Sequence, residues 1–120
     1  MANNINSSLQ QLMEIEGAMG TCIVDYQTGM LLGSMGSGVD LELAAAGNSE
    51  VVKAKMKTMK SLNIDGDIED ILITLKDQFH IIRPTANHTG LFIYLVLDKS
   101  RSNLALARRK VVTIEATLEI

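Results

Sequence analysis

Seven consecutive positions, Leu91–Leu97, are apolar or aromatic, and none carries a charge. The run is far too short to cross a bilayer. Its length and its Phe, Ile, Tyr and Val content predict a strand. Alternation puts Leu91, Ile93, Leu95 and Leu97 on one face and Phe92, Tyr94 and Val96 on the other. Both faces are apolar, so the strand needs cover above and below; a sheet with one wet face would alternate apolar and polar residues here.

The rest of the chain supplies that cover. Leu9, Leu12, Met13 and Ile15 form a stripe on a short helix that Ser7 or Ser8 caps and that runs to about Glu16, with Gly17 stopping it. Residues 1–6 read as a loose tail. Gly20–Tyr26 predicts a strand, Gln27-Thr28-Gly29 a tight turn, and Met30–Ser34 the returning strand of a hairpin. Gly36-Ser37-Gly38 then loosens the chain. From Asp40 the period changes: Leu41, Ala45, Val52, Met56 and Met59 recur at near-helical spacing, which predicts one long helix from about Val39 to about Ser61. Gly47 is its weak point, since glycine costs about 1 kcal/mol in a helix interior. Ile68–Leu75 and Gln78–Arg83 predict two further strands, the second closed by Pro84. After Leu91–Leu97, Ser102 or Asn103 caps a last helix carrying Leu104, Ala107, Val111, Ile114 and Leu118.

The order is α-β-β-α-β-β-β-α. Short links between consecutive strands imply antiparallel hairpins. The expected fold class is α+β: a five-stranded antiparallel sheet with helices on both faces.

A chain of 120 residues is one domain, 1–120, large enough for one core. Net charge is −3 with a pI near 5.3, which argues against nucleic acid as the main partner. Two Tyr, two Phe and no Trp offer no base-stacking platform. The single cysteine, Cys22, excludes an internal disulfide and fits a reducing compartment. The first residues lack a basic segment and an apolar core, so the expectation is a cytoplasmic protein with no membrane insertion.

Catalytic and cofactor chemistry finds little support. His80 falls in a strand and His88 in a loop, and neither has a second ligand at metal spacing. Cys22 reads as a small buried residue. Gly33-Ser-Met-Gly36-Ser-Gly38 lacks the Gly-Lys-Ser/Thr ending of a phosphate loop. Asp65, Asp67, Glu69 and Asp70 surround Gly66 but miss the calcium-loop spacing, so they read as solvated turn charges. Arg108-Arg109-Lys110 is either a solvated helix face or a docking patch for an acidic partner. No nucleophile is paired with a base, so the chain reads as non-enzymatic, with no cofactor.

Several stretches together resemble the roadblock/dynein light-chain family. They are Glu16–Asp25 running into Thr28-Gly29, Leu43-Ala44-Ala45-Ala46, Glu69–Thr74, Gln78–Ile82 and Asn103–Arg108. The likeness extends over residues 7–118. It implies a five-stranded antiparallel sheet, with the first and last helices on one face and the long helix on the other. It further implies dimers that join sheet edges and pack long helices together. Members act without catalytic machinery, as adaptors in dynein complexes or as scaffolds and regulators of small Ras-like GTPases.

One dimension agrees with a dimer. A helix is about 10 Å across, and five strands spaced at nearly 5 Å are broader. The expected homodimer contacts are Val52, Met56 and Met59 on the helix. On the Ile68–Leu75 edge they are Ile68, Asp70, Leu72 and Thr74. The competing reading leaves these residues in the chain's own core. The expected function is a non-catalytic dimeric adaptor or regulator of a small GTPase; the alternatives are a small-molecule sensor or a dynein-type motor subunit. Arg83, Arg101, Arg108 and Arg109 are equivalent candidates for an arginine finger.

Overall fold

The computed structural model describes residues 3–120. In chain order the elements are α1 (Ile5–Met13), β1 (Ala18–Asp25), β2 (Met30–Gly36), α2 (Leu41–Ser61), β3 (Ile71–Thr74), β4 (Gln78–Pro84), β5 (Leu91–Asp98) and α3 (Leu104–Ala116), with a short 3₁₀ turn at Lys99–Arg101. The five strands form one antiparallel sheet in the order β2-β1-β5-β4-β3. The apolar run Leu91–Leu97 is therefore the central strand, and Phe92 through Leu97 are buried.

Each face of β5 has its own core. Ile93, Leu95 and Leu97 join Ile23 and Ile81 beneath α1 and α3, which contribute Leu9, Leu12, Ala107, Val111 and Ile114, with Leu118 just past the end of α3. Phe92, Tyr94 and Val96 join Cys22, Val24 and Ile82 beneath α2, which contributes Ala45 and Val52. This is the α+β architecture expected from the apolar pattern, with helices on both faces.

The local signals act mostly as read. Asn103 Oδ1 accepts from the Leu106 N–H at 3.0 Å and starts α3 as expected, whereas α2 starts two residues after the expected Val39, with the Asp40 carboxylate accepting from the Leu43 N–H at 3.1 Å as its cap. α2 continues through Gly47 without a break. Gly36 belongs to β2, so that strand runs two residues past the expected Ser34. Gly33 lets α1 lie close: a Cβ there would meet Ile5 Cγ2 at 2.8 Å and Leu9 Cδ1 at 3.0 Å.

The N-terminus departs from expectation. The tail expected over 1–6 is shorter, because Ile5 and Asn6 already belong to α1. Met1 and Ala2 lie outside the described residues. Asn4 is pinned to the far end of the chain: its side-chain amide donates to Thr117 O at 2.7 Å and its Oδ1 accepts from the Glu119 N–H at 2.6 Å. Ser8 is not the cap. It is buried in α1, and its hydroxyl has no hydrogen-bond partner among the described residues. An unsatisfied buried hydroxyl costs about 1–3 kcal/mol, and alanine is the better helix former. Ser8→Ala should therefore raise stability by about 1 kcal/mol, seen as a higher urea midpoint at unchanged slope.

Candidate interaction surface

α2 does not cover its face of the sheet. It packs over β1 and β2, at one side. On the other side Ile71 and Ile73 of β3 are only half-buried, as are Gln78 and His80 of β4. β3 is also the edge of the sheet, with no strand beyond it. An apolar, unpaired edge beside a half-exposed apolar face is a surface that natural proteins cover.

β3 is shorter than the expected Ile68–Leu75. Side chains take the backbone and carboxylate groups that precede it. Arg83 Nη1 donates to Glu69 O at 3.0 Å, and Asp70 is held by Arg108, whose Nε and Nη2 donate to it at 2.8 and 2.9 Å. The Asp70 carboxylate raises the Arg108 pKa through these hydrogen bonds and its charge. Arg83 also donates from Nε to Glu115 Oε1 at 2.6 Å. Glu115 is only 4% exposed, and its Oε2 accepts from the Ala86 N–H at 3.3 Å. Sequence reasoning missed this pair. Glu115 stands one step after Ile114 on the apolar stripe of α3, the one signal that it turns inward.

The named contact positions scatter. Val52 is fully buried in the chain's own core, so a second copy could bury no more of it. Met56 and Met59 are half-buried and line an open hollow of about 640 Å³ with Ile64 and Ile68. Ile68 and Asp70 lie before β3, and Asp70 is already engaged by Arg108. Leu72 faces α1 and α3, and Thr74 is exposed at the end of the edge strand. The outward face of α2 was not read from sequence. Leu43, Ala46, Gly47, Val51 and Ala54 are exposed on it at steps of three and four, Leu43 at 70%. A Cβ on Gly47 would meet nothing within 4 Å. Small residues in that pattern permit close approach of another helix.

The polar groups on the open half are organised. Burial pushes the Tyr94 hydroxyl up to about 12, and it donates to His80 Nδ1 at 2.9 Å. His80 Nε2 then donates to Gln78 Oε1 at 2.8 Å. Burial lowers the His80 pKa from its ordinary 6.5. Between that value and the lower folded one, the unfolded chain binds more protons. The stability His80 contributes is thus present above about pH 6.5 and lost as pH falls through the folded value. Urea midpoints should drop on acidification below about pH 6.5, and drop less in His80→Gln; identical pH profiles would refute the assignment.

Little else suggests reaction chemistry. Burial pushes the Cys22 thiol up to about 12, which disfavours the thiolate. His88 Nε2 lies 2.9 Å from Leu118 O and ties its loop to the segment that follows α3. Among the described residues no group of three or more His, Cys, Asp or Glu could hold a metal ion, and no helix is long and apolar enough to cross a membrane.

A five-stranded antiparallel sheet with two helices on one face and one long helix on the other is a roadblock/LC7-type fold. The chain is similar to Myxococcus xanthus MglB, with a TM-score of 0.82 at 16% identity over 94% of this chain and 89% of that one. It is similar to a roadblock/LC7 domain from Streptomyces avermitilis (TM-score 0.76, 10% identity, 94% and 89% covered). It also matches the gliding protein MglB of Thermus thermophilus (TM-score 0.72, 14% identity, 94% and 89% covered). These likenesses concern the fold. No protein-family model and no curated protein matches the sequence.

Proposed function

We propose that the chain is a non-catalytic adaptor or regulator that pairs with a second copy through its α2 side and binds a small Ras-like GTPase. The observation that carries the pairing is the half-covered sheet: α2 lies over β1 and β2, and the apolar strip at β3 is only half-buried in a single copy. A second α2 laid alongside the first would cover it, with Leu43, Gly47 and Val51 at the helix contact and Met56, Met59, Ile68, Ile71 and Ile73 toward the edge, while Leu72 and Thr74 stand on the opposite face of β3. Val52 supports this surface from inside, and Asp70 shapes the approach to the edge through Arg108. The GTPase part rests on the roadblock-type fold, whose bearers are regulatory or adaptor domains.

Sedimentation equilibrium tests the pairing. The wild type should be a dimer at micromolar concentration, and Leu43→Glu with Val51→Glu should shift it to a monomer without loss of helix content. A wild type that stays monomeric sinks the pairing. The GTPase reading is tested by mixing the chain with small GTPases of the same genome, each loaded with GDP or a GTP analogue. Failure to bind any of them in either state sinks that part alone.

A further inference from the structure

α1 and α3 run antiparallel, with Asn4 at the start of α1 joined to Thr117 and Glu119 at the end of α3. Toward the opposite end of α1, residues of the two helices line a groove of about 360 Å³. Ile15 and Ile114 form its floor, and Leu106, 41% exposed, stands open in it. Arg109 and Lys110 rim it, facing Glu14 across the gap. Of the basic run Arg108-Arg109-Lys110, only Arg108 is paired; neither Arg109 nor Lys110 has a carboxylate within salt-bridge distance among the described residues. Leu106, Arg109, Lys110 and Thr113 share one flank of α3, at steps of three and four.

The chain carries a segment of the opposite character. Between α2 and β3, Ile64 is 51% exposed and is followed by exposed Asp65 and Asp67, then exposed Glu69. None of these carboxylates is ion-paired among the described residues. Gly66 between them has φ +104, and a Cβ there would meet nothing within 4 Å, so the tip of the loop is open to a partner. The next carboxylate, Asp70, shows what this loop does beside α3: it takes Arg108 in a two-pronged pair. Arg108 faces β3, while the groove lies on the α1 flank, so α3 itself stands between the loop and the groove of its own chain.

We propose that the α1–α3 groove is a second interaction surface, which receives the Ile64–Glu69 loop of another copy of this chain. Ile64 enters beside Leu106, and Asp65 and Asp67 meet Arg109 and Lys110. The contact joins two different surfaces, so it does not close on itself and adds copies beyond any pair formed through α2. Two cations beside an acidic residue are too few to hold a lipid surface, where basic clusters of about four to eight are the rule. The chain's own last residues are excluded as the occupant, because Asn4 holds Glu119 at the other end of α1.

Sedimentation velocity on the full chain, at rising concentration and at low and high salt, tests this. The wild type should form species larger than a dimer, and salt should dissolve them. Arg109→Glu with Lys110→Glu, or Asp65→Lys with Asp67→Lys, should each weaken this growth roughly tenfold. Combining all four reversals should restore it. The positions are on the surface, so melting temperatures should stay near wild type and confirm folding. Arg109 and Lys110 lie away from the α2 side, so the α2-side pairing should be the same in their double reversal, and loss of the basal dimer there would count against the proposed function and not against this contact. The assignment is overturned by growth that ignores the single reversals, by failure of the combined variant to recover, or by absence of growth. It is equally overturned if the wild type pellets with phosphatidylserine-containing vesicles and does not self-assemble.

Discussion

Phe92→Ala is expected to cost about 3–5 kcal/mol. Phe92 lies on the central strand with no exposure, beneath α2. Its ring stacks against Tyr26, with centroids 6.4 Å apart and 16° between planes. Truncation removes the transfer free energy of the ring and leaves a cavity that the sheet can close only in part, because strands on both sides fix the backbone. A domain of this size has a total stability on the order of 10 kcal/mol, so the loss is a third to a half of it. Urea denaturation should show the midpoint falling sharply at unchanged slope. A cost below about 1 kcal/mol would mean that the α2-side core is loosely packed.

Glu115→Ala comes second, with an expected cost of about 3 kcal/mol. The substitution strips Arg83 of its carboxylate and the Ala86 N–H of its acceptor, leaving a guanidinium that is 16% exposed without a counter-charge. Glu115→Gln should cost less, since it keeps an acceptor. Arg83→Met combined with Glu115→Leu should recover much of the loss, because an apolar pair of similar volume carries no desolvation penalty. A double variant as unstable as Glu115→Ala would show that the contribution lies in the links to Glu69 and Ala86, and not in the charge pair.

Most of the fold was legible because its signals are local. The period of two in Leu91–Leu97, the near-helical recurrence from Leu41 to Met59 and the cap Asn103 each act within a few residues of themselves. Element order then left little freedom, since short links force hairpins. The misses have a common cause in long-range polar contacts. Asn4 orders the N-terminus by reaching residues 117 and 119. Arg83 and Arg108 shorten β3 by reaching Glu69 and Asp70. Spacing does not reveal such partners.

The candidate interaction surface was legible only in outline. That one helix is too narrow for the sheet follows from dimensions alone. Which side of α2 faces outward depends on rotation about its axis, and a stripe rich in alanine and methionine specifies that weakly. Val52 was therefore assigned to the contact and lies in the core, while Leu43, Gly47 and Val51 were passed over and lie outside.

The last strand to be made, β5, is the one in the middle. As the polypeptide leaves the ribosome, β1 and β2 emerge as a hairpin, and β3 and β4 as another, with nothing between them until residues 91–98 appear. Neither half has its central neighbour before then, so the sheet must wait for residue 98 to emerge, and pairings so distant in sequence form slowly. Nascent molecules should therefore expose two unfinished hairpins until β5 emerges, a period in which chaperone engagement would matter most.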